Sequence, residues 1–282
     1  MHPFEQTDRT KPFPTFLYGT AWKEEHTSSC VEQAIAAGFR GIDTANQRKH
    51  YFEEGVGEAL QAIFLRGELS RGDLFLQSKF TGRRGQDHRL PYDPEAGVSE
   101  QVQQSLESSL EHLGVEYLDS YVLHGPSSPY GWHQADRDIW QAMEICHAKG
   151  KALFLGISNV SLEQLQALCS QTEIMPTFVQ NRCFARTGWD RQIRQFCRER
   201  GIIYQGFSLL TANPEIFQHP DFIAIVKRTG ATPAQVVFRF TMGIGILPLT
   251  GTTDPVHMAE DLACLELDLS ADDLHCIETL VD

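Results

Sequence analysis

Eight short apolar runs, spaced almost evenly from end to end, constrain this chain more than any other feature. They cover residues 16–21, 40–44, 74–80, 118–124, 152–158, 177–180, 202–208 and 244–249. The runs are near-continuous where a half-exposed strand would alternate apolar with polar. That is the pattern of strands buried on both faces, so they predict a parallel sheet covered by helices. Helix signals fill the intervals. Ser28-Ser29 precedes VEQAIAAG, which ends on Gly38 as a C-terminal glycine cap. Residues 53–65 and 99–113 carry apolar side chains at three- and four-residue spacing, and Ser161-Leu-Glu-Gln reads as a capping box. Residues 189–200 and 233–242 complete the set, with Pro233 at a first helical position. Eight units in 282 residues, with no Pro-, Gly- or Ser-rich linker, predict a single-domain α/β fold over 1–282. At about 35 residues per unit it is a (β/α)8 TIM barrel, for which about 250 residues is typical. A doubly wound sheet shares the alternation and is the alternative.

Charge and cysteine usage exclude several functions. The most apolar window, 236–249, is interrupted by Arg239 and Thr241, so no segment is expected to span a bilayer. The opening MHPFEQTDRTKPFP lacks the basic-then-apolar order of a signal peptide. Against 24 Lys and Arg stand 37 Asp and Glu, a net charge of −13, and no basic run exceeds Arg83-Arg84 or Lys227-Arg228. Nucleic acid and anionic membrane are therefore poor partners. The 7 cysteines include no C-x-x-C pair, which argues against a disulfide framework and a zinc site and for a reduced, cytoplasmic setting. No metal is expected.

In a barrel the active site lies where the strands end, and these ends are polar. They read Gly19-Thr20-Ala21-Trp22-Lys23, Asp43-Thr44-Ala45, Ser78-Lys79, His124-Gly125-Pro126, Ser158-Asn159, Gln180-Asn181-Arg182, Phe207-Ser208 and Thr250-Gly251-Thr252-Thr253. Singly, Asp43 suits a helix N-cap, Lys79 a snorkelling lysine, His124 a satisfied core histidine and Tyr51 a surface tyrosine. Together, ionisable groups meeting at one barrel mouth shift one another's pKa values. A lysine beside a tyrosine lowers the phenol's pKa from about 10, a carboxylate holds that lysine, and a neutral histidine positions a substrate oxygen. Such a set suits carbonyl reduction, with the hydride drawn from a cofactor.

Three motifs carry a resemblance to the aldo-keto reductases that covers nearly the whole chain: GIDTANQRKHYFEEGVGEAL, FLQSKF and YVLHGP. The resemblance implies a catalytic tetrad of Asp43, Tyr51, Lys79 and His124, with Tyr51 as general acid. It implies an NADP(H) site, with NAD(H) as the alternative. Ser158, Asn159 and Gln180 would hold the carboxamide, Phe207 would stack on the nicotinamide, and backbone from Ser208 to Leu210 would cover the pyrophosphate. Leu249, Thr250, Gly251 and Thr252, then Glu260 and Asp261, would hold the adenosine end, and Thr20 and Asp43 close the site from the first two strands. A small carbonyl compound is the implied substrate, with Trp22 and Trp132 as pocket walls, and a monomer is the implied state.

The pattern departs from the family at four places. Tyr usually follows the Asp by five residues; here that position, 48, is Arg, and Tyr51 comes eight after Asp43, so the segment Gln47-Arg48-Lys49-His50 must bulge. The family's Lys-Ser…Arg grip on the 2′-phosphate reads Leu249-Thr250…His257, which weakens NADPH preference. Gly125 stands where an aromatic usually follows the histidine, which leaves room for a bulkier ligand. No long C-terminal loop follows the final helix and the N-terminal hairpin looks shortened, so an open site is expected. Three readings follow: a reductase, a cofactor-binding relative that is catalytically weak or idle, and a Schiff-base lyase using Lys79.

Overall fold

The computed structural model describes residues 13–281. The eight runs become eight strands: β1 (Leu17–Gly19), β2 (Gly41–Asp43), β3 (Phe75–Phe80), β4 (Leu118–Leu123), β5 (Ala152–Ser158), β6 (Phe178–Arg182), β7 (Ile203–Phe207) and β8 (Ile246–Thr250). Each pairs in parallel with the next, and β8 pairs with β1, which closes the barrel and removes the doubly wound alternative. Among the described residues ten α-helices surround it: α1 (Thr27–Ala37), α2 (Glu53–Leu65), α3 (Val98–Leu113), α4 (Gln134–Ala148), α5 (Leu162–Gln171), α6 (Arg191–Glu199), α7 (Pro220–Thr229), α8 (Pro233–Gly243), α9 (Pro255–Ala263) and α10 (Ala271–Thr279). Gly38 caps α1 in the left-handed region, at φ 119, and Ser161 caps α5 by accepting from the Gln164 amide. Helices α4, α7, α9 and α10 are additions to the expected set. In α4 the buried Trp140, Met143 and Cys146 do recur at three-residue spacing, but polar residues dilute the stripe.

The barrel is filled in layers, and the layering positions the site. At the strand starts, Phe13, Leu17, Phe75, Phe178, Ile203 and Leu247 form an apolar plug. The Phe13 ring meets Phe75, Phe154 and Phe178 edge-on at 6.0, 5.1 and 5.3 Å. Each such pair contributes about 0.5–1.5 kcal/mol beyond its buried area. The expected N-terminal hairpin lies largely outside the described residues.

Above the plug sits a polar layer of Gln77, Gln180 and Gln205, all buried. Strand register sets it: Asp43 lies beside Gln77, and Gln180 beside Gln205. Side chains two apart on a strand share a face, so Gln77 and Lys79 both point inward. Outside the barrel, Gly57 lets α2 approach α3 closely, since an added Cβ would sit 1.9 Å from the His112 carbonyl oxygen. No helix is long and apolar enough to cross a membrane among the described residues.

Candidate active site

The extra residues before Tyr51 fold into a tight turn. The amides of His50 and Tyr51 both donate to the Gln47 carbonyl, at 3.1 and 3.0 Å, and the Trp22 amide donates to the His50 carbonyl at 2.7 Å. The β3–α3 connection clamps the turn from outside. Gln86 Nε2 donates to the Asn46 carbonyl, Arg89 Nη2 to the Arg48 carbonyl, and Gln47 Nε2 to the Gly85 carbonyl. Arg48 itself pairs with Glu54 and meets His112 at 2.8 Å. The bulge is thus a bonded element that delivers Tyr51 to the mouth, directly ahead of α2.

There the four expected residues converge. Lys79 Nζ donates to Asp43 Oδ2 at 2.7 Å and to the Thr44 carbonyl at 2.8 Å, and it lies 5.2 Å from the Tyr51 ring centroid. Tyr51 and His124 stand edge to face with centroids 5.9 Å apart. The Asp43 carboxylate is held from below, because Gln77 Nε2 and Gln180 Nε2 both donate to Oδ1, at 2.7 and 3.0 Å. Gln205 completes the layer, accepting from both glutamines at 2.9 Å and donating to Gln77 Oε1 at 3.1 Å.

The electrostatics depart from expectation at one point. Burial raises the Tyr51 phenol above its ordinary value, and the opposing pull of Lys79 does not overcome it. The expected lowering is therefore corrected: desolvation outweighs the lysine, and the phenol keeps its proton at neutral pH. Burial also works against the Lys79 ammonium, but Asp43 and the phenol oxygen more than offset it and the pKa ends up raised. Burial, with help from Lys79 and His50, pushes His124 down to about 3, so the imidazole is neutral as expected. The Thr81 hydroxyl sits 2.7 Å from His124 Nδ1. When that hydroxyl donates, the ring's own proton stands on Nε2.

Two cavities open from this point, of about 820 and 930 Å³. Both are lined by Ala21, Trp22, Tyr51, His124 and Asn159, so they meet at the tetrad. The larger is lined by Asp43, Ser158, Gln180, Phe207, Ser208, Leu210, Leu249, Thr250, Gly251, Thr252, Glu260 and Asp261. Thr250 Oγ1 donates to Asp261 at 2.8 Å, yet burial dominates and lifts Asp261 to about 6. Three non-glycine residues on this wall, Trp22, Asn159 and Ser208, adopt left-handed backbone, at φ 62, 52 and 57. Such conformations cost about 1–3 kcal/mol each and concentrate at functional sites.

Two expected residues fall elsewhere. Thr20 is buried and donates to the Asp43 carbonyl at 3.1 Å; it braces β2 and reaches neither cavity. Trp132 is 9% exposed in the core and lines a separate groove beside Trp140 and Leu168, because α4 carries it away from the mouth. Trp22 does stand at the mouth, 69% exposed and packed at a tilt against His50, with ring centroids 4.0 Å apart. The motifs missed Gln77 and Gln205, and also Lys23, a buried cation on the larger cavity whose Nζ donates to the Gly251 carbonyl at 2.6 Å. Burial lowers the Lys23 pKa. Alternation along β3 from Lys79 would have found Gln77.

Comparison with known proteins agrees with this geometry. Residues 15–213 match the model of the aldo/keto reductase family. An uncharacterized oxidoreductase of Bacillus subtilis, YtbE, is 28% identical over 270 residues, 95% of this chain and 89% of its own length. An NAD(P)H-dependent 6′-deoxychalcone synthase of Glycine max is 28% identical over 91% of this chain and 82% of its own. An aldo-keto reductase of Bombyx mori, solved in complex with NADP, superposes with a TM-score of 0.81 at 23% identity, covering 97% of this chain and 91% of that one. At that identity the likeness is one of fold. A family match over well more than half of the chain, on a closed barrel with an Asp-Tyr-Lys-His cluster at its mouth, identifies this protein as a member of the aldo/keto reductase family, an oxidoreductase.

Proposed function

We propose that this chain reduces aldehydes or ketones to alcohols with a reduced nicotinamide dinucleotide, NADPH or NADH. One observation carries the reading: two cavities, each large enough for a small organic ligand, meet at Tyr51 and His124. The larger fits the cofactor. Asn159 Nδ2 is committed to the His124 carbonyl and Ser158 Oγ, and Gln180 Nε2 to Asp43 and Gln205. Each side chain therefore offers its carbonyl oxygen to the cavity, and two acceptors match the amino group of a carboxamide. The half-buried Phe207 ring gives an apolar platform, and Lys23 and Arg182 supply cations to the same cavity.

Bound there, the cofactor supplies a hydride to the carbonyl carbon. The remaining steps belong to the chain. His124 orients the carbonyl by donating to its oxygen. Tyr51 gives its phenolic proton to that oxygen and becomes a phenolate. Lys79 stabilises the phenolate by its fixed charge, Asp43 holds Lys79, and a solvent proton restores the phenol. A phenol kept protonated by burial suits this direction. The same reading includes a monomer in a reduced cytoplasmic setting, in keeping with cysteines that are all unpaired.

The test follows absorbance of the reduced cofactor with activated aldehydes. Tyr51→Phe should lose about 10²–10⁴-fold in turnover, the range supplied by general acid catalysis. Equal rates in both proteins would remove Tyr51 from the mechanism. Tight cofactor binding without turnover of any carbonyl would favour the idle relative, and borohydride trapping of substrate on Lys79 would favour the Schiff-base reading.

A further inference from the structure

The smaller cavity has a charge character opposite to that of the molecule. Asp and Glu outnumber Lys and Arg by 37 to 24, yet no carboxylate lines this cavity, whereas Arg83 and Arg84 do. Both arginines stand on a 3-10 turn, Arg83–Gly85, just beyond Lys79. The turn is fixed on both sides. Gln47 Nε2 donates to the Gly85 carbonyl at 2.6 Å, and Arg84 Nη1 crosses to the Ser127 carbonyl at 2.9 Å. Among the described residues neither arginine is ion-paired, and nearby Asp87 is spent on Arg89 at 2.5 Å. Two further features suit an elongated polar guest. Gln47 Oε1 is buried on this wall with no partner. At Gly125 an added Cβ would make only ordinary van der Waals contact, 3.6 Å from Asn159, so glycine leaves the room of a side chain unfilled.

We propose that the pocket selects carbonyl compounds carrying a carboxylate at the end remote from the reacting carbon, and that Arg83 and Arg84 recognise it. The proposal rests on the reductase reading and names its substrate class. Guanidinium groups match a carboxylate in geometry as well as charge. A cavity without opposing carboxylates focuses their field on the ligand, in a molecule whose net charge would otherwise repel it.

The test compares kcat/KM for 4-carboxybenzaldehyde and methyl 4-formylbenzoate with the preferred reduced cofactor. The ionised carboxylate withdraws electrons less than the methyl ester, so intrinsic carbonyl reactivity favours the ester and a preference for the acid reports its charge. The acid should be favoured about tenfold, as expected of two exposed guanidinium contacts of about 0.5–1 kcal/mol each. Its advantage should shrink as NaCl rises from 0.05 to 0.5 M. In Arg83→Gln and Arg84→Gln the acid-to-ester ratio should fall toward one, and because a ratio is read, a general loss of active enzyme cancels. A wild-type ratio near one, or a preference unchanged in both variants, overturns the proposal while leaving the reductase reading intact. Failure of the wild type to reduce either compound overturns the reductase reading itself.

Discussion

Replacing Gln77 with Met tests whether the glutamine layer holds the catalytic aspartate. The substitution keeps chain length but removes the donor to Asp43 Oδ1 at 2.7 Å, the donor to Gln205 at 2.9 Å and the acceptor for Gln205 Nε2 at 3.1 Å. The Gln205 amide nitrogen then has no partner in a site with no water access, Gln205 being 0% exposed. An orphaned buried group costs about 1–3 kcal/mol, and a lost bond to a charged acceptor about 1.5–3 kcal/mol. A single-variant loss of about 2–4 kcal/mol is expected, or roughly 5–15 °C in Tm for a domain of this size. Gln205→Met alone should cost a similar amount by orphaning Gln77 Oε1. The double variant removes both halves of the reciprocal pair together, so its cost should fall short of the sum by about 1 kcal/mol or more. Urea unfolding of the four proteins closes the cycle. Additivity within about 0.5 kcal/mol would refute a coupled layer. Turnover should drop in Gln77→Met as Asp43, and with it Lys79, loses its fixed position.

Three further predictions follow from the same geometry. His124 is held near 3 against an unfolded value of about 6.5, so the unfolded chain takes up the extra proton first; its contribution to stability is full above about 6.5 and is lost as pH falls toward 3. Tm against pH should slope less over that window in His124→Gln, and an unchanged slope would contradict a buried neutral imidazole. Gly57→Ala forces a Cβ to 1.9 Å from a backbone oxygen, so it should destabilise by about 1–3 kcal/mol or more in thermal melts; a wild-type Tm would contradict the tight α2–α3 approach. If the end of the larger cavity near Thr250 and Asp261 meets the adenosine phosphate, His257→Arg should raise the NADPH-to-NADH ratio of kcat/KM about tenfold, and an unmoved ratio would place that phosphate elsewhere.

The fold was legible because barrel strands must be apolar on both faces, and that requirement writes itself into consecutive residues. The four residues of the mouth were legible for a related reason: each lies at or just past the C-terminal end of a strand or, for Tyr51, leads into α2, so position in the chain maps onto position in space. Trp132 shows where this mapping ends. It belongs to a loop whose path is set by how α4 docks, through Trp140 and Met143, and nothing local to residues 126–133 encodes that docking. The glutamine layer was hidden differently. Gln77, Gln180 and Gln205 lie on three strands spread over 128 residues, and only closure of the barrel brings them together.

The sign of the Tyr51 shift makes the same point about energetics. A neighbouring lysine is visible in the motif, and the reasoning from it is sound: Lys79 does pull the phenol down. The opposing effect is desolvation, which depends on how the bulge at 47–50, Trp22 and the β3–α3 connection assemble around the cavity that Tyr51 lines. Those contacts join segments up to 41 residues apart, as in the bond from Arg89 to the Arg48 carbonyl. Burial is therefore a property of the assembled mouth, and here it is the larger effect. The three residues that lengthen the segment before Tyr51 thus do more than restore its position. By adding His50 over Trp22 and a clamped turn beside the phenol, they help set the environment in which its proton is held.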